Sequence, residues 1–519
     1  MQSWIEEELR TADLNHARLE RRFQLILDRL AHKPSFKFTA ACRGRAEVRA
    51  AYRFVNTKRV TAQAILAPHQ DATLHRIGQY RVVIVAQDTT ETDLTRKHER
   101  LTGAGPLNDP NRLGFHLHNL LAMTPQRLPL GVVAATIWAR DPQEFGKPSQ
   151  RKQKPIEQKE TFRWLEGYRQ ACAVATACPH TQIVAVGDSE NDIYECILEG
   201  QQPAACGQRQ AEWIIRACHE RVLVRDPQAA KAEEAEAEET TYLFATVASA
   251  PVLKRLTIKV SKREPKSKDK RKRKQPRSAR QAVVTVQAAR VTLGGVRRKG
   301  VGHLEDVTVN AVLLREEKPP EGEEPIQWLL LTSLPIDKVK QVLRVVEYYC
   351  CRWQIEIYYR VLKSGCQVET SQLETGEAFQ AYVALCLIVA WRVMYVMMLG
   401  RECPDVPADA VLEEDEWQAV YAVVKEEKPP AAVPSLGEMV KQIASLGGYL
   451  GRKGDGQPGP KAMWLGMQRM TDLALGWGAR GRQGTPEVAG RKATTVRAPP
   501  SPSRSSSRNH TTVQSSWER

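Results

Sequence analysis

One fifteen-residue stretch, Tyr349 to Lys363 (YCCRWQIEIYYRVLK), constrains this chain more than any other. Its polar members Tyr349, Arg352, Glu356 and Lys363 are spaced at i, i+3, i+7 and i+14. At about 100° per residue they fall within one narrow stripe of an α-helix. A carboxylate beside two cations and a phenol suits a metal-bound phosphodiester, because the carboxylate can hold a divalent ion while the other groups bind phosphate oxygens. A solvated helix face with ion pairs one turn apart is the alternative interpretation.

Composition indicates a large globular protein with a polyanionic partner. The chain has 519 residues, of which 42% are hydrophobic, and this length predicts two to four domains. Its net charge of +16 comes mainly from two segments of the chain. Residues 254–280 contain 14 Lys or Arg against two acids, and residues 480–519 contain eight against two. Basic character of this kind is typical of nucleic-acid binding.

The cysteine pattern argues against a disulfide-bonded or zinc-binding protein, and the hydropathy argues against a membrane protein. The eleven cysteines include no C-x-x-C pair and no Cys/His cluster with zinc spacing, so we expect buried thiols in a reducing cytosol. Residues 381–399 are apolar enough to span a membrane. They carry Arg392 near their centre, which is costly in a bilayer, and we therefore expect a buried core helix and no membrane partner.

Hydrophobic periodicity predicts a helical N-terminus followed by a mixed α/β sheet. HARLERRFQLILDRLA is an amphipathic helix with a basic rim, which favours either a small DNA-binding unit or a plain helical cap. RVVIVAQDTT is a buried strand that we expect to end at Asp88, and TQIVAVGD is another that ends at Asp188. Two strands within residues 114–140, a helix over 159–177, a short helix after Asp188 and a strand at ERVLVR complete the pattern.

A β-rich insertion follows, with strands expected at VVTVQ, ARVTLGG, DVTVNAVLL and IQWLLLTS. The acidic run KAEEAEAEET predicts a loop or exposed helix, and the basic run through PKSKDKRKRKQPRSAR predicts a mobile arm. Further helices occupy the region after residue 401. The Ser-, Pro- and Arg-rich end of the chain predicts disorder.

Three acids stand out as a set. Asp88 and Asp188 follow strands, and Glu356 lies on the polar stripe of a helix. Carboxylates at the carboxyl ends of neighbouring strands meet at one edge of a sheet, and a helical carboxylate can complete a site for two divalent cations. Each aspartate alone is also explained as a turn or cap residue.

Taken in order, these motifs resemble the DDE transposases of bacterial insertion sequences, in the branch with a Y-x₂-R-x₃-E-x₆-K signature that includes the transposon-five transposase. Tyr349, Arg352, Glu356 and Lys363 match that signature, while QDTT and VGDSENDIYE match the two aspartate motifs. The resemblance extends to AYRF, WLLLTS and LGGYLGRKGDGQPGPK, and it covers roughly residues 1 to 478.

The resemblance implies an α/β, RNase H-like mixed-sheet core flanked by helical domains. It divides the chain into a DNA-end-binding domain (1–77), a catalytic domain (78–400) with a β-rich insertion at about 226–335, a helical dimerisation region (401–479) and a disordered basic tail (480–519). It also implies a bacterial cytoplasmic protein that associates with the nucleoid when bound to DNA.

The implied chemistry is cleavage at transposon ends with Mg²⁺ or Mn²⁺, in a site holding two ions, followed by hairpin formation and strand transfer into target DNA. Asp88, Asp188 and Glu356 would be the catalytic metal ligands, and Tyr349, Arg352 and Lys363 would bind phosphates. Trp328 matches the aromatic residue that inserts into the duplex, although a core tryptophan is the alternative. The basic arm would lie along DNA, and a homodimer would form on double-stranded terminal repeats.

Two other functions stay open at this stage. A catalytically impaired, transposase-derived DNA-binding protein would bind the repeats without cutting them. A structure-selective nuclease on the same fold would cut without end-sequence preference and without strand transfer.

Overall fold

The structure is a computed structural model, and it describes residues 4–33, 37–95, 101–143, 145, 154–202, 207–224, 240–263 and 276–482. The chain forms two compact units. The first unit comprises Met1–Tyr80, Thr89–Gly146 and Gln354–Ser503. The second unit comprises Arg81–Asp88, Lys147–Trp353 and Arg504–Arg519.

Both units are built from helices and strands. The described α-helices are α1 (Trp4–Glu8), α2 (Ala17–His32), α3 (Phe38–Ala41), α4 (Arg45–Val55), α5 (Ala62–Ile77), α6 (Phe162–Ala177), α7 (Tyr194–Glu199), α8 (Leu243–Ser249), α9 (Val339–Cys351), α10 (Trp353–Arg360), α11 (Gly376–Glu402), α12 (Glu414–Lys425), α13 (Leu436–Leu446) and α14 (Pro460–Arg482). The described strands are β1 (Val82–Asp93), β2 (Gly105–Pro106), β3 (Leu113–Met123), β4 (Pro129–Trp138), β5 (Gln182–Gly187), β6 (Glu212–Ala217), β7 (Lys254–Val260), β8 (Arg280–Leu293), β9 (Arg297–Arg298), β10 (Gly302–His303), β11 (Val307–Glu316) and β12 (Gln327–Thr332).

The second unit contains a mixed sheet that positions the candidate site. The first half of β1 pairs in parallel with β5, and β5 pairs in parallel with β6. Antiparallel neighbours then follow in the order β12, β11, β8 and β7. Strand β5 is buried on both faces over Ile183–Gly187, as expected for a central parallel strand covered by helices. The mixed α/β fold class predicted from the sequence is confirmed.

The first unit is organised around helix α11. Most of this 27-residue helix is buried, and its most apolar window is 89% buried inside the protein although it is long enough to cross a membrane. Arg392, buried near its middle, lies 4.9 Å over the Trp4 ring and donates a hydrogen bond to the Val411 carbonyl. The expected core helix is therefore present, and the guanidinium of Arg392 makes its contacts with protein groups.

A buried ionic network ties the start of the chain to this unit. The Glu8 carboxylate accepts hydrogen bonds from Arg76 at 2.9 and 3.0 Å and from the Nδ1 of His69. His69 Nε2 accepts the Val132 amide at 2.9 Å, so the neutral ring donates at one nitrogen and accepts at the other. Arg76 also lies 4.3 Å over the ring of Trp391. The network therefore clamps α1, α5, β4 and α11 together.

Two predicted elements differ from the structure. The strand expected at ERVLVR forms only isolated bridges, and the neighbouring segment Glu212–Ala217 is the sheet strand β6 instead. Trp213, Ile214 and Ile215 are buried there. The predicted basic arm is wrong over Lys254–Val260, which forms β7 because Ile258 and Val260 alternate inward with period two.

The compact units also cut across the predicted sequential boundaries. Helices from the expected N-terminal and C-terminal domains belong to one unit, together with residues 89–143 of the expected catalytic domain. Helix α14 continues to Arg482, three residues into the expected disordered tail. The acidic run at 231–239, the central part of the basic arm at 264–275 and the tail from 483 onward lie outside the described residues.

Candidate functional site

The two predicted aspartates lie at the same end of neighbouring parallel strands in the second unit. The parallel register pairs Ala86 of β1 with Val186 of β5, and each aspartate comes two residues after that pair. Neighbouring strands are about 4.8 Å apart, and residues two positions on point to the same face. Asp88 within β1 and Asp188, the first residue after β5, therefore lie at the same end of two adjacent strands. Asp88 does not end its strand as predicted, because β1 continues to Asp93.

A tight turn fixes Asp188. Its Oδ1 accepts the backbone amide of Glu190 at 2.8 Å, and Ser189–Asn191 form one 3₁₀ turn. The preceding Gly187 is required sterically, since a Cβ there would lie 2.3 Å from Nδ2 of the buried Asn191. A backbone amide of the turn, rather than a flexible side chain, therefore orients the Asp188 carboxylate.

Asp192, which sequence reasoning missed, ties this turn to the end of β6. The carboxylate accepts the amides of Cys218 and His219 at 2.7 and 2.8 Å, and Arg221 lies 2.7 Å from its Oδ1. Burial alone would raise the pKa of Asp192, but Arg221 and the two amides hold it below its ordinary value. Asp192 is thus an ionised structural link, four residues from Asp188.

Asp192, Cys218 and His219 also form a small cluster of potential metal donors, with ligand atoms within 4.8 Å of one another. The Arg221 guanidinium already neutralises this carboxylate. A cation would have to displace that ion pair, so the cluster is better explained by the turn geometry than by metal binding.

Arg352 contacts Asp88 directly. Its Nη1 lies 3.1 Å from Asp88 Oδ2, and both side chains are largely buried. Arg352 is the single residue between α9 and α10, and it keeps helical φ and ψ of −50° and −34°. The signature arginine, predicted to bind phosphate, is therefore placed beside the first aspartate.

Tyr349 and Trp328 pack together in the same unit. Their ring centroids are 5.2 Å apart and the ring planes cross at 72°. Burial raises the pKa of the Tyr349 phenol, and the nearby cations Arg352 and Arg216 oppose that rise. The phenol consequently stays protonated at neutral pH and can donate a hydrogen bond to a phosphate oxygen.

Arg216 is a further residue that the sequence did not single out. Its guanidinium lies 5.7 Å from the Trp328 ring centroid. Arg216 of β6 is paired with Leu330 of β12, and Trp328 is two residues away along that strand, on the same face of the sheet. The only local signal was a basic residue within an apolar strand, WIIRAC, whose partner strand is more than a hundred residues away.

Glu356 and Lys363 belong to the first unit. Glu356 lies in the first turn of α10 and is half-buried. Lys363 lies in a π-helical turn, Val361–Gly365, so the regular helix assumed for the full signature ends at Arg360. The convergence of Glu356 with the two aspartates, and of Lys363 with the phosphate, stays a prediction.

Lys363 lies among acidic side chains of its own unit. Its Nζ is 3.9 Å from Glu369 Oε1, and that oxygen also accepts the Asp93 amide at 3.0 Å. Burial lowers the pKa of the Lys363 ammonium, and Glu369 opposes this effect. The lysine is thus held in place by a carboxylate.

The aspartate pair fits a divalent metal ion. Its donors are carboxylate oxygens, which hard cations such as Mg²⁺ and Mn²⁺ prefer. Carboxylates brought close together repel each other unless a cation lies near them, and the Arg352 guanidinium supplies positive charge at Asp88.

Three family models match the chain in sequence order. A transposase DNA-binding model matches residues 1–60, a transposase DDE domain matches residues 204–392, and a transposase Tn5 dimerisation domain matches residues 388–485. The DDE-domain match contains Trp328 and the Tyr349–Lys363 stretch, whereas Asp88 and Asp188 lie outside it. Together the three matches span well over half of the chain.

Solved structures add a weaker likeness. The cryo-EM structure of the piggyBac transposase synaptic complex with hairpin DNA is 10% identical, with a TM-score of 0.30 over 82% of this chain. The present chain spans 59% of the length of that protein. At this similarity the likeness carries no argument about mechanism.

Proposed function

The chain belongs to the Tn5-like DDE transposases, and we propose that it is a cut-and-paste DNA transposase acting on the ends of its own element. The observation that carries the proposal is the parallel register that brings Asp88 of β1 and Asp188, the residue after β5, to the same end of neighbouring strands, with Arg352 against Asp88. DDE transposases use divalent metal ions. We propose Mg²⁺ or Mn²⁺ here, with two ions held by Asp88, Asp188 and Glu356.

Bound metal would supply activation of the attacking oxygen and neutralisation of the leaving oxygen. The protein groups then position the DNA. Arg352 and Lys363 place positive charge at the non-bridging oxygens of the scissile phosphate, and the protonated Tyr349 phenol donates to another phosphate oxygen. Hydrolysis frees a 3′-OH, which attacks the opposite strand, breaks its phosphodiester and leaves a hairpin. After the hairpin is opened, the same 3′-OH attacks target DNA.

Trp328 and Arg216 suit the hairpin step. A hairpin requires strong bending of the terminal nucleotides, and an aromatic ring can stack on a base that leaves the helix. Trp328 is half-buried at the start of β12, with Tyr349 at one side and Arg216 over its ring. Arg216 would hold the phosphate of the displaced nucleotide.

The remaining parts of the chain are assigned by the same proposal. Exposed arginines of α2 and α4 and of the loop between them form a basic surface for the terminal repeats: Arg18, Arg21, Arg43, Arg45, Arg49 and Arg53. Residues matched by the dimerisation domain would join two copies on DNA. The protein would act in the bacterial cytoplasm, at the nucleoid, with no membrane partner.

Cleavage of DNA carrying the element's terminal repeats tests this function. The purified wild type should cut such a duplex in Mg²⁺, whereas Glu356→Gln should lose at least about 10³-fold in rate because a metal ligand is removed. Glu347→Gln, which changes an exposed carboxyl of α9, is the matched control and should cut like the wild type.

Other results would change the assignment. Cleavage that persists in Glu356→Gln removes this residue from the mechanism. Cutting without end preference indicates a structure-selective nuclease, and repeat binding without cutting by the wild type indicates an impaired DNA-binding protein.

A further inference from the structure

A small exposed β-hairpin projects from the second unit between β8 and β11. Strand β9 (Arg297–Arg298) pairs with β10 (Gly302–His303), with Arg298 opposite Gly302 and Arg297 opposite His303. Gly300 and Gly302 have φ of +81° and +98°, conformations that favour glycine. The turn between the strands is therefore narrow and carries few side chains.

The hairpin is basic, and its tip is exposed. Between Val296 and Leu304 it contains Arg297, Arg298 and Lys299 and no acidic residue. Arg297 and Lys299 are exposed, and Val301 at the tip is 64% exposed. The nearest acids along the chain, Glu305 and Asp306, lie at its base, where Asp306 accepts the Gly295 amide at 2.7 Å.

An ion pair fixes the hairpin to the helix that follows the Asp188 turn. Arg298 donates to both carboxylate oxygens of Glu195, at 2.6 and 2.9 Å. The neighbouring Tyr194 hydroxyl donates to the Glu305 carbonyl at 2.7 Å. Both partners begin α7, six and seven residues after Asp188. A bidentate guanidinium–carboxylate pair fixes orientation as well as distance.

These observations point to a duplex-DNA contact that lies outside the family signature. We propose that the β9–β10 hairpin holds the duplex on the Asp188 side of the site, with Arg297 and Lys299 on phosphates and Val301 in a groove. A two-stranded ribbon fits the major groove, and cationic flanks match a polyphosphate rather than an apolar protein surface. Arg298 acts as the anchor. This proposal rests on the DNA-binding part of the proposed function, because it needs DNA at Asp188.

The first test measures DNA affinity against salt concentration. Full-length Arg297→Ala/Lys299→Ala is titrated with a fluorescent duplex carrying the terminal repeats between 50 and 200 mM salt. Loss of two phosphate contacts should lower the slope of log K against log salt by about 1.8 and weaken binding roughly tenfold or more at 0.1 M. Cleavage at saturating DNA should keep its wild-type rate, since the hairpin touches no reacting atom.

The matched control is Arg315→Ala/Lys318→Ala, which removes one exposed arginine and one exposed lysine at and just after the end of β11, in the large sheet of the same unit. It should retain the wild-type slope. If the hairpin variant binds like this control, the hairpin proposal is overturned. A wild type that binds the repeats but never cuts them would instead overturn the proposed function and leave the hairpin proposal standing.

A charge exchange tests the anchor. Arg298→Glu should weaken DNA binding by loosening the hairpin, and Glu195→Arg/Arg298→Glu should restore most of the affinity by rebuilding the pair in reverse. Absence of any rescue, with the double variant folded by circular dichroism, would show that Arg298 contacts DNA itself and would overturn its role as an anchor.

Discussion

At the scale of single residues, Asp88 is shared between a potential metal ion and Arg352. The guanidinium lies 3.1 Å from the carboxylate, where it neutralises part of the charge that a cation would bind. The same arginine is proposed to leave Asp88 for a phosphate oxygen when DNA is present. One side chain would then link DNA binding to metal binding.

This exchange gives a first prediction. Arg352→Ala should lower the metal concentration needed for half-maximal binding in the DNA-free protein by several-fold, because a largely buried competing cation worth about 1 kcal/mol is removed. DNA cleavage should nevertheless fall, because the phosphate loses a cation. Calorimetric titration with Mn²⁺ measures the first effect, and unchanged or weaker metal binding would contradict it.

The sequence predicted the signature residues but not their local partners. Spacing along one helix singled out Tyr349 and Arg352, because helical periodicity is local, and their binding to phosphate stays a prediction. Arg216 and Asp192 were missed because their roles depend on contacts with residues distant in the chain, Trp328 for one and Arg221 for the other. Nothing in WIIRAC or ENDIY distinguishes these residues from ordinary strand and turn residues.

At the scale of elements, the buried Glu8 network is a clamp with a defined pH dependence. Burial raises the pKa of Glu8, but His69 and Arg76 outweigh it and lower the value from 4.5 to about 2. Burial lowers the pKa of His69 from 6.5. Both groups bind protons more readily when unfolded, so the stability they contribute decreases as the pH falls: below about 6.5 for His69, and from 4.5 towards 2 for Glu8.

A second prediction follows for Glu8→Gln. The free energy of unfolding at pH 7 should fall by roughly 2–3 kcal/mol, because the partly buried Arg76 and His69 lose the carboxylate that accepts their hydrogen bonds. Glu7→Gln, an exposed neighbour in α1, should change it by less than about 0.5 kcal/mol. Urea titrations at pH 7 and at pH 3 measure both effects. The difference between wild type and Glu8→Gln should shrink at pH 3, and a constant difference would contradict the assignment.

Element types were predictable from the sequence wherever one periodicity dominated. The apolar strands β5 and β12 and the long helix α11 were expected near their observed positions. Lys254–Val260 was missed because charge obscured a short alternation, and β6 was missed because the equally apolar ERVLVR follows it. Which of two similar segments joins a sheet depends on the strands available to pair with it, and those strands are distant in the sequence.

At the scale of the whole molecule, the residues assigned to the proposed function are distributed over two compact units. The aspartate pair, Arg352, Tyr349, Trp328 and Arg216 belong to the second, while Glu356, Lys363 and the matched DNA-binding and dimerisation regions belong to the first. The boundary falls between Trp353 and Gln354, inside the signature itself.

Manganese binding to the full-length protein on its terminal-repeat DNA tests the proposed three-carboxylate centre most directly. Electron paramagnetic resonance of free Mn²⁺ gives the affinity, and Asp88→Asn, Asp188→Asn and Glu356→Gln should each weaken it by roughly tenfold or more, since each removes an oxygen ligand. Glu347→Gln should bind like the wild type. If Glu356→Gln also binds Mn²⁺ like the wild type, the helical carboxylate does not share the ions held by the two aspartates, and the proposed three-carboxylate centre is wrong.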